Sequence, residues 1–544
     1  MAHQAGNAPS TTPPEALRLG GSRPRRRRAR GGSIIAVVLA MVLTASCTAP
    51  GGSGEGGDNK LTVAITGTPP SLDPHSNSSF ITQEVAWHMY EGLWTIDSSF
   101  QAQPMLAKSS SYDSATKTFT IDLRDGVVFH DGSKLDSSDV VASLERWQSM
   151  ASYGAMFSDL VTDIKATSNN RVQLTLAKDS PVIEQLLAFP NQQAAIMPSE
   201  VIEKAGAKPI EEPVGTGPYK LDDYVPDQRI TMVAFDDYSP RSEPADGMAG
   251  AREPRVDTLE MVPTPEVSVR RDAVITGQVD IAEGLSPDMY DAVEAEPTVE
   301  PAVVKPYWWP MAVFDKTEPP FDDVQARQAF MAALDMEPIM RAAFGSKQFY
   351  RLQPGVLYPE QEAWGSDAGA DVYDQQDLQK AKALLQASGY GGEPLTWLTT
   401  REYDYMYTIA TVAKQQLEAV GFNIELEVVD YATIVDRRTR PEGYDIFSGA
   451  TTFTADPGIW PCWDETWPGQ WSDPQKDKLV AQLNTTMDPQ ARQAAWEELQ
   501  TYFYEQVPMV KFGDYFQLSA SNTSVNGAEG TPFPAYWNVA PSDG

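Results

Sequence analysis

Four tryptophans, Trp460, Trp463, Trp467 and Trp471, follow one another at intervals of 3, 4 and 4 residues, with Asp464 and Glu465 among them. Indole faces beside carboxylates suit a cation or the apolar face of a sugar. On an uninterrupted helix this spacing would bring all four rings to one side. Pro461 can start a helix, but Pro468-Gly469 would break it, so the stretch reads as a loop or short helical turn lined with Trp. A second reading stays open, in which the indoles simply pack a core, since Trp is mostly buried wherever it falls. Two further aromatic patches are candidates, Tyr307-Trp308-Trp309 and the alternating Tyr403, Tyr405 and Tyr407. Alternation alone would also put those three tyrosines on one side of a strand.

The residue patterns of an enzyme are missing. The sequence has no HExxH, no GxSxG and no phosphate loop. His75, His88 and His130 are the histidines beyond residue 46, at spacings with no metal-site logic. Asp367, Asp371 and Asp374 share a Gly-containing loop but lack the EF-hand pattern, so they read as a solvated acidic loop. Carboxylates are too numerous for a glycosidase pair to stand out. The expectation is a binding protein without catalytic residues, metal or cofactor.

The elements that must position the aromatic patches alternate between strand and helix. Leu61-Thr62-Val63-Ala64-Ile65 opens the folded body as a strand, and residues 117–123 alternate like a half-buried one. Residues 139–147 read as a helix. Ile409, Val412, Ala413, Leu417 and Val420 share one helical face that stops near Gly421, and residues 423–429 follow as a strand. Helix, glycine stop and strand are half of a βαβ unit, which predicts parallel sheet in the C-terminal half. A last long helix is expected over 489–505 and a strand over 507–512.

Cys47 carries information of a different kind. Before it come an arginine-rich stretch at 23–30, an apolar run at 34–43 and Thr44-Ala45-Ser46. A basic region, a short apolar region and small residues make a secretory signal peptide, and a cysteine just after the cleavage point is what a bacterial lipoprotein signal needs for lipidation. The apolar run is half the ~20 residues of a membrane-spanning helix. The expectation is a signal peptide over 1–46, then Cys47 anchored by lipid on the extracytoplasmic side of the cell membrane. Residues 47–59 would be a Gly- and Ser-rich tether, reaching roughly 20 Å as a random coil. The leader's seven Arg and one Glu hold +6 of a net charge of −33, leaving −39 on the other 498 residues. So acidic a surface argues against nucleic acid and against broad adhesion to anionic lipid. With only Cys47 and Cys462, a lipidated Cys47 leaves no disulfide, and stability must come from the core.

Seven segments in order resemble the peptide/nickel-type family 5 of extracellular solute-binding proteins of ABC importers. They are Ser71-Leu72-Asp73-Pro74-His75; Tyr90-Glu91-Gly92-Leu93; Pro104-Met105-Leu106-Ala107; Leu123-Arg124-Asp125-Gly126-Val127-Val128-Phe129-His130-Asp131-Gly132; Asp139-Val140-Val141; Val214-Gly215-Thr216-Gly217-Pro218-Tyr219; and Pro319-Pro320-Phe321-Asp322-Asp323-Val324 with Arg327-Gln328-Ala329. Physically these read as turns and chain reversals that identify the family without touching ligand. Gly215 and Gly217 in particular have no Lys-Ser/Thr after them and no helix to open.

The resemblance implies an α/β, two-lobed periplasmic-binding-protein-like fold with a hinge and an extra inserted domain. Domain I would comprise 60–94, 212–306 and 508–544, domain II would be an insertion at 95–211, and domain III would span 307–507. Ligand would lie in the cleft between domains I and III. Aligning the Asp456-Pro457 step puts Phe453 where dipeptide-binding members carry the Asp that pairs with the peptide's amino group. Arg401 falls near their carboxylate-binding Arg, where it would bind a carboxylate or pair with Glu402 or Asp404. The candidate ligand-binding residues are therefore Arg401, Tyr403, Phe453, Asp456, Trp460, Trp463, Trp467, Trp308 and Trp309. The expected protein is a monomeric receptor that passes an oligopeptide or a peptide-like, cationic organic ligand to an ABC permease with its ATPase subunits. The alternatives are a saccharide receptor of the same fold and, in another class, a secreted hydrolase.

Overall fold

A computed structural model describes residues 59–440, 443–451, 453–528 and 530–542; the leader and Cys47 lie outside them. The first described element is the expected strand, Lys60–Ile65. It is the parallel neighbour of both Thr258–Pro263 and Ile281–Leu285. A twelve-stranded mixed sheet is built around it. The predicted βαβ half-unit is present: Leu395–Thr399 and Ile424–Val428 are parallel, and helix Asp404–Glu418 joins them. Its apolar face buries Ile409, Ala413 and Leu417.

One strand ties the sheet together. Val299–Phe314 is 16 residues long. Its first part pairs with Asp514–Asn522, from Val299↔Asn522 to Val304↔Gln517, and its second part pairs with Ile446–Thr451, from Trp309↔Thr451 to Phe314↔Ile446. The register shifts between Val304 and Trp308, between these two pairings. The return runs through Met509–Lys511, which pairs with the second part, and Asp514–Asn522, which pairs with the first.

A separate four-stranded antiparallel sheet is formed by Ala107–Asp113, Thr118–Leu123, Arg171–Leu176 and Val161–Ser168. The helix beside it, Ser137–Met150, starts earlier than apolar periodicity predicts, because Asp136 caps it. The Asp136 carboxylate accepts from Ser138 N–H at 2.7 Å, and Asp139 accepts from Asp136 N–H at 3.0 Å. The strand expected from residue 507 starts instead at Met509, because Val507 takes a left-handed φ of 45° and closes helix Pro489–Gln506.

The family turns do structural work. Asp73 accepts from Arg146 at 3.1 and 2.6 Å and from Ile210 N–H at 3.0 Å. Burial opposes its charge, but the Arg146 and Ile210 hydrogen bonds outweigh it and hold the carboxyl below its ordinary range. His130 Nε2 donates to Gly217 O at 3.0 Å while Nδ1 accepts from Gly215 N–H at 3.3 Å. A Cβ at Gly215 would lie 2.1 Å from Met89 O, and one at Gly217 2.5 Å from His88 O. Only glycine lets this segment pass so close to the end of helix Phe80–Met89.

Candidate ligand cleft

Beside the register shift between Val304 and Trp308 lies a cavity of about 360 Å³, lined by Ser78, Phe80, Ser152, Tyr153, Asn191, Tyr307, Trp308, Phe453, Pro532 and Phe533. Widely separated parts of the chain build it. Phe80 opens helix Phe80–Met89, and Tyr307 and Trp308 sit at the register shift of the crossing strand. Phe453 closes one wall inside an aromatic box, with ring centroids 4.5 Å from Phe100, 5.3 Å from Phe533, 6.2 Å from Phe189 and 6.2 Å from Tyr358. Ser78, Ser152 and Asn191 are its polar members, and Asn191 Oδ1 is buried with no protein partner, an unused acceptor. Larger cavities occur as well, one of about 760 Å³ lined in part by Tyr112, Phe119, Trp364 and Arg492 and one of about 730 Å³ lined in part by Tyr290, Phe344, Phe349 and Asp404, but neither is lined by Trp308 or Phe453.

Of the sequence candidates, Tyr307, Trp308 and Phe453 line this cavity, and the others do not. Trp309 faces the other side of its strand, buried, with Nε1 donating to Val356 O at 3.1 Å. The tryptophan stretch folds into two short 3₁₀ turns, Pro457–Ile459 and Pro461–Trp463. Trp460, Trp463 and Trp471 are buried around Phe503, with centroids 6.0, 6.4 and 6.3 Å away. Trp463 Nε1 donates to Pro457 O at 2.6 Å. Lys476 supplies the cation, donating to the carbonyls of Trp463 and Trp471 at 2.7 and 2.8 Å. Trp467 is half-buried against Phe447 at 6.4 Å, and Asp464 and Glu465 are exposed. This is the packing arrangement rather than the ligand-facing one. Asp456 is buried in a pair with Arg492, which leaves it no free face.

Arg401 and Tyr403 lie on the surface at the start of helix Asp404–Glu418. Arg401 pairs with neither neighbouring acid; its guanidinium stacks 3.6 Å from the Tyr407 ring centroid. A row of rings connects this corner to the cavity: Tyr403 to Tyr405 at 6.2 Å, Tyr405 to Tyr515 at 5.6 Å, Tyr515 to Tyr307 at 5.4 Å and Tyr307 to Trp308 at 4.8 Å. Phe80, Tyr153, Asn191 and Phe533 went unnoticed in the sequence because they lie in four unrelated segments with no common spacing. Among the described residues, no group of three or more His, Cys, Asp or Glu could hold a metal ion, and no helix is long and apolar enough to cross a membrane.

The comparisons agree with this architecture. The profile described as "Bacterial extracellular solute-binding proteins, family 5 Middle" matches residues 101–469. The "Probable peptide ABC transporter periplasmic-binding protein y4tO" of Sinorhizobium fredii is 27% identical over 498 residues, covering 86% of this chain and 91% of that protein. The glutathione-binding protein GsiB of Escherichia coli K12 is 23% identical, covering 91% and 95%. Among solved structures, the ABC transporter substrate-binding protein CtaP of Listeria monocytogenes superposes with a TM-score of 0.77 at 22% identity, over 89% of this chain and 99% of that one. A Pseudoalteromonas dipeptide-binding protein in complex with Met-Leu does so at 0.73 and 20%, over 89% and 100%. The chain belongs to family 5 of the bacterial extracellular solute-binding proteins, which are transport receptors and not enzymes.

Proposed function

We propose that this chain is the lipid-anchored, extracytoplasmic receptor of an ABC importer. It captures an oligopeptide or peptide-like, cationic organic ligand in the cleft and hands it to the permease, with ATPase subunits driving uptake. The observation that carries the reading is the aromatic cavity beside the register shift, with Phe453, Trp308 and the unpartnered Asn191 Oδ1 on its walls. Apolar walls with a few convergent polar groups suit a small organic ligand. The names of the relatives support the class, since peptides, glutathione and Met-Leu all share peptide chemistry.

The saccharide alternative drew on the indoles beside Asp464 and Glu465, which pack away from the cavity. Arg401, unpaired by either adjacent acid and reached through the row of tyrosines, belongs to the proposal as a carboxylate contact at the outer end, with Tyr403 beside it. The three-domain partition, with an insertion over 95–211 and a second lobe over 307–507, is part of the same reading, as is the anchor on Cys47.

Calorimetric titration with a tripeptide mixture and with maltotriose tests the ligand class. Peptide binding with no response to maltotriose is expected. The reverse would favour the saccharide receptor. Cys47→Ser should release the protein from membranes or leave it unprocessed; membrane association at the mature size would refute the anchor.

A further inference from the structure

Next to the cleft, two carboxyl groups are buried against each other. Glu84 lies on helix Phe80–Met89 and Glu283 on strand Ile281–Leu285. They are 1% and 8% exposed and close enough that each acts on the other's charge. The Tyr536 hydroxyl donates to Glu283 Oε1, and Glu84 Oε1 is buried with no partner.

The surrounding groups do not neutralise the pair. Arg270 acts on Glu283 electrostatically, yet its guanidinium donates to the carbonyls of Glu283, Thr264, Pro265 and Gly284 and to neither carboxylate. His88 stacks on Tyr536 at 5.6 Å and accepts from its backbone N–H at 3.0 Å. Burial lowers the His88 pKa to about 4, so that ring is neutral. Tyr307 and Gln517 complete the surroundings. Burial likewise raises Glu283 to about 7, and burial together with the Glu283 charge raises Glu84 well above the carboxylate range. A buried carboxylate pair is costly unless a proton or a cation compensates it.

Glu283 and Tyr536 also line a second, inner cavity of about 40 Å³. Phe80, Tyr307 and Pro532 line both this cavity and the cleft. A water-sized group needs about 10–15 Å³. The inner cavity therefore accommodates an ammonium with one or two methylenes, but neither a guanidinium nor a ring.

We infer that the inner cavity receives a primary ammonium group of the ligand, which donates to Glu283 while Glu84 supports that carboxylate from behind and Tyr536 orients it. This assignment rests on the reading of the cleft as a peptide-class site and narrows it to amine-bearing ligands. Two sources share the chemistry, an α-ammonium at a peptide terminus and the ε-ammonium of a lysine side chain.

Calorimetry with four probes tests the assignment: a lysine-free tripeptide mixture, the same mixture N-acetylated, an N-acetylated mixture containing lysine, and n-butylammonium chloride. Each is titrated into wild type, Glu283→Gln and Glu84→Gln, with thermal unfolding confirming that the variants are folded. A charge-assisted hydrogen bond of about 1.5–3 kcal/mol corresponds to a roughly ten- to hundredfold change in affinity. Acetylation and Glu283→Gln should each weaken binding by that factor, and applying both should cost little more than either. Rescue by the lysine-containing set would support the ε-ammonium as the source, and no rescue the α-ammonium. Equal affinity for all peptide forms, or undiminished affinity in both variants, overturns the ammonium site and leaves the peptide receptor standing. Binding of n-butylammonium to wild type and not to Glu283→Gln, with no peptide bound, keeps the site and refutes the peptide reading. Silence from every probe refutes both.

Discussion

The carboxylate of Asp456 and the guanidinium of Arg492 form a two-bond pair, 2.6 Å on each arm, with side chains 3% and 7% exposed. Asp456 Oδ1 also accepts from Gly458 N–H at 2.8 Å, and Arg492 Nε donates to Leu483 O at 3.0 Å. The pair clamps the tryptophan-rich segment onto helix Pro489–Gln506 and makes Asp456 a structural residue. Removing one partner strands a buried charge. Asp456→Ala is therefore expected to lose about 3–5 kcal/mol of stability, read by urea unfolding, while the protein that remains folded keeps its ligand affinity.

Trp463 and Trp308 should separate stability from binding. Trp463 is packed among Trp460, Trp471 and Phe503, so Trp463→Ala should cost about 3–5 kcal/mol of stability. Trp308 is half-buried on the cavity wall. Trp308→Ala should lower tripeptide affinity about thirtyfold, the effect of a contact worth ~2 kcal/mol, with a smaller loss of stability. Denaturant curves beside calorimetric titrations distinguish the two.

The Glu84–Glu283 pair gives stability a pH dependence of known sign. Burial raises Glu283 from 4.5 to about 7 in the folded state, so the folded protein holds a proton that the unfolded chain releases. The contribution is fully present below about 4.5 and is lost as pH rises through 7. Buried neutral His75, His88 and His130, lowered to about 4, act oppositely, losing stability as pH falls from 6.5 through 4. The difference between wild type and Glu283→Gln isolates the carboxylate. The variant should gain stability relative to wild type between pH 5 and 8, as measured by thermal unfolding across about that range.

In the proposed two-lobed partition, closure should occur at the register shift between Val304 and Trp308 and on the return beside it. Small-angle scattering is expected to give a smaller radius of gyration with saturating tripeptide than without. Superimposable curves would contradict a closing cleft.

Much of the architecture was legible because it is local. The periodicity of Ile409, Ala413 and Leu417 and the stop at Gly421 specify the helix and the parallel strand that follows. The family segments were legible because tight turns and close backbone approaches, as at Gly215 and Gly217, tolerate few residues. The cleft was largely hidden. Phe80, Tyr153, Asn191 and Phe533 meet only through tertiary folding, and the carboxylates of Glu84 and Glu283 are 199 positions apart in an acid-rich chain. The tryptophan spacing was conspicuous for a different reason, since indoles fill a core as readily as they line a site. Trp308 and Trp309 show the limit most sharply: adjacent in sequence, they face opposite sides of one strand, and only Trp308 reaches the cavity.

Native mass spectrometry of wild type and Trp308→Ala, each incubated with the tripeptide mixture, is the most direct measurement of the central claim. One intact peptide per wild-type chain is expected, with that adduct strongly reduced in Trp308→Ala and no cleaved peptide accumulating. A wild-type spectrum without peptide adduct, or with hydrolysed products growing over time, would contradict it.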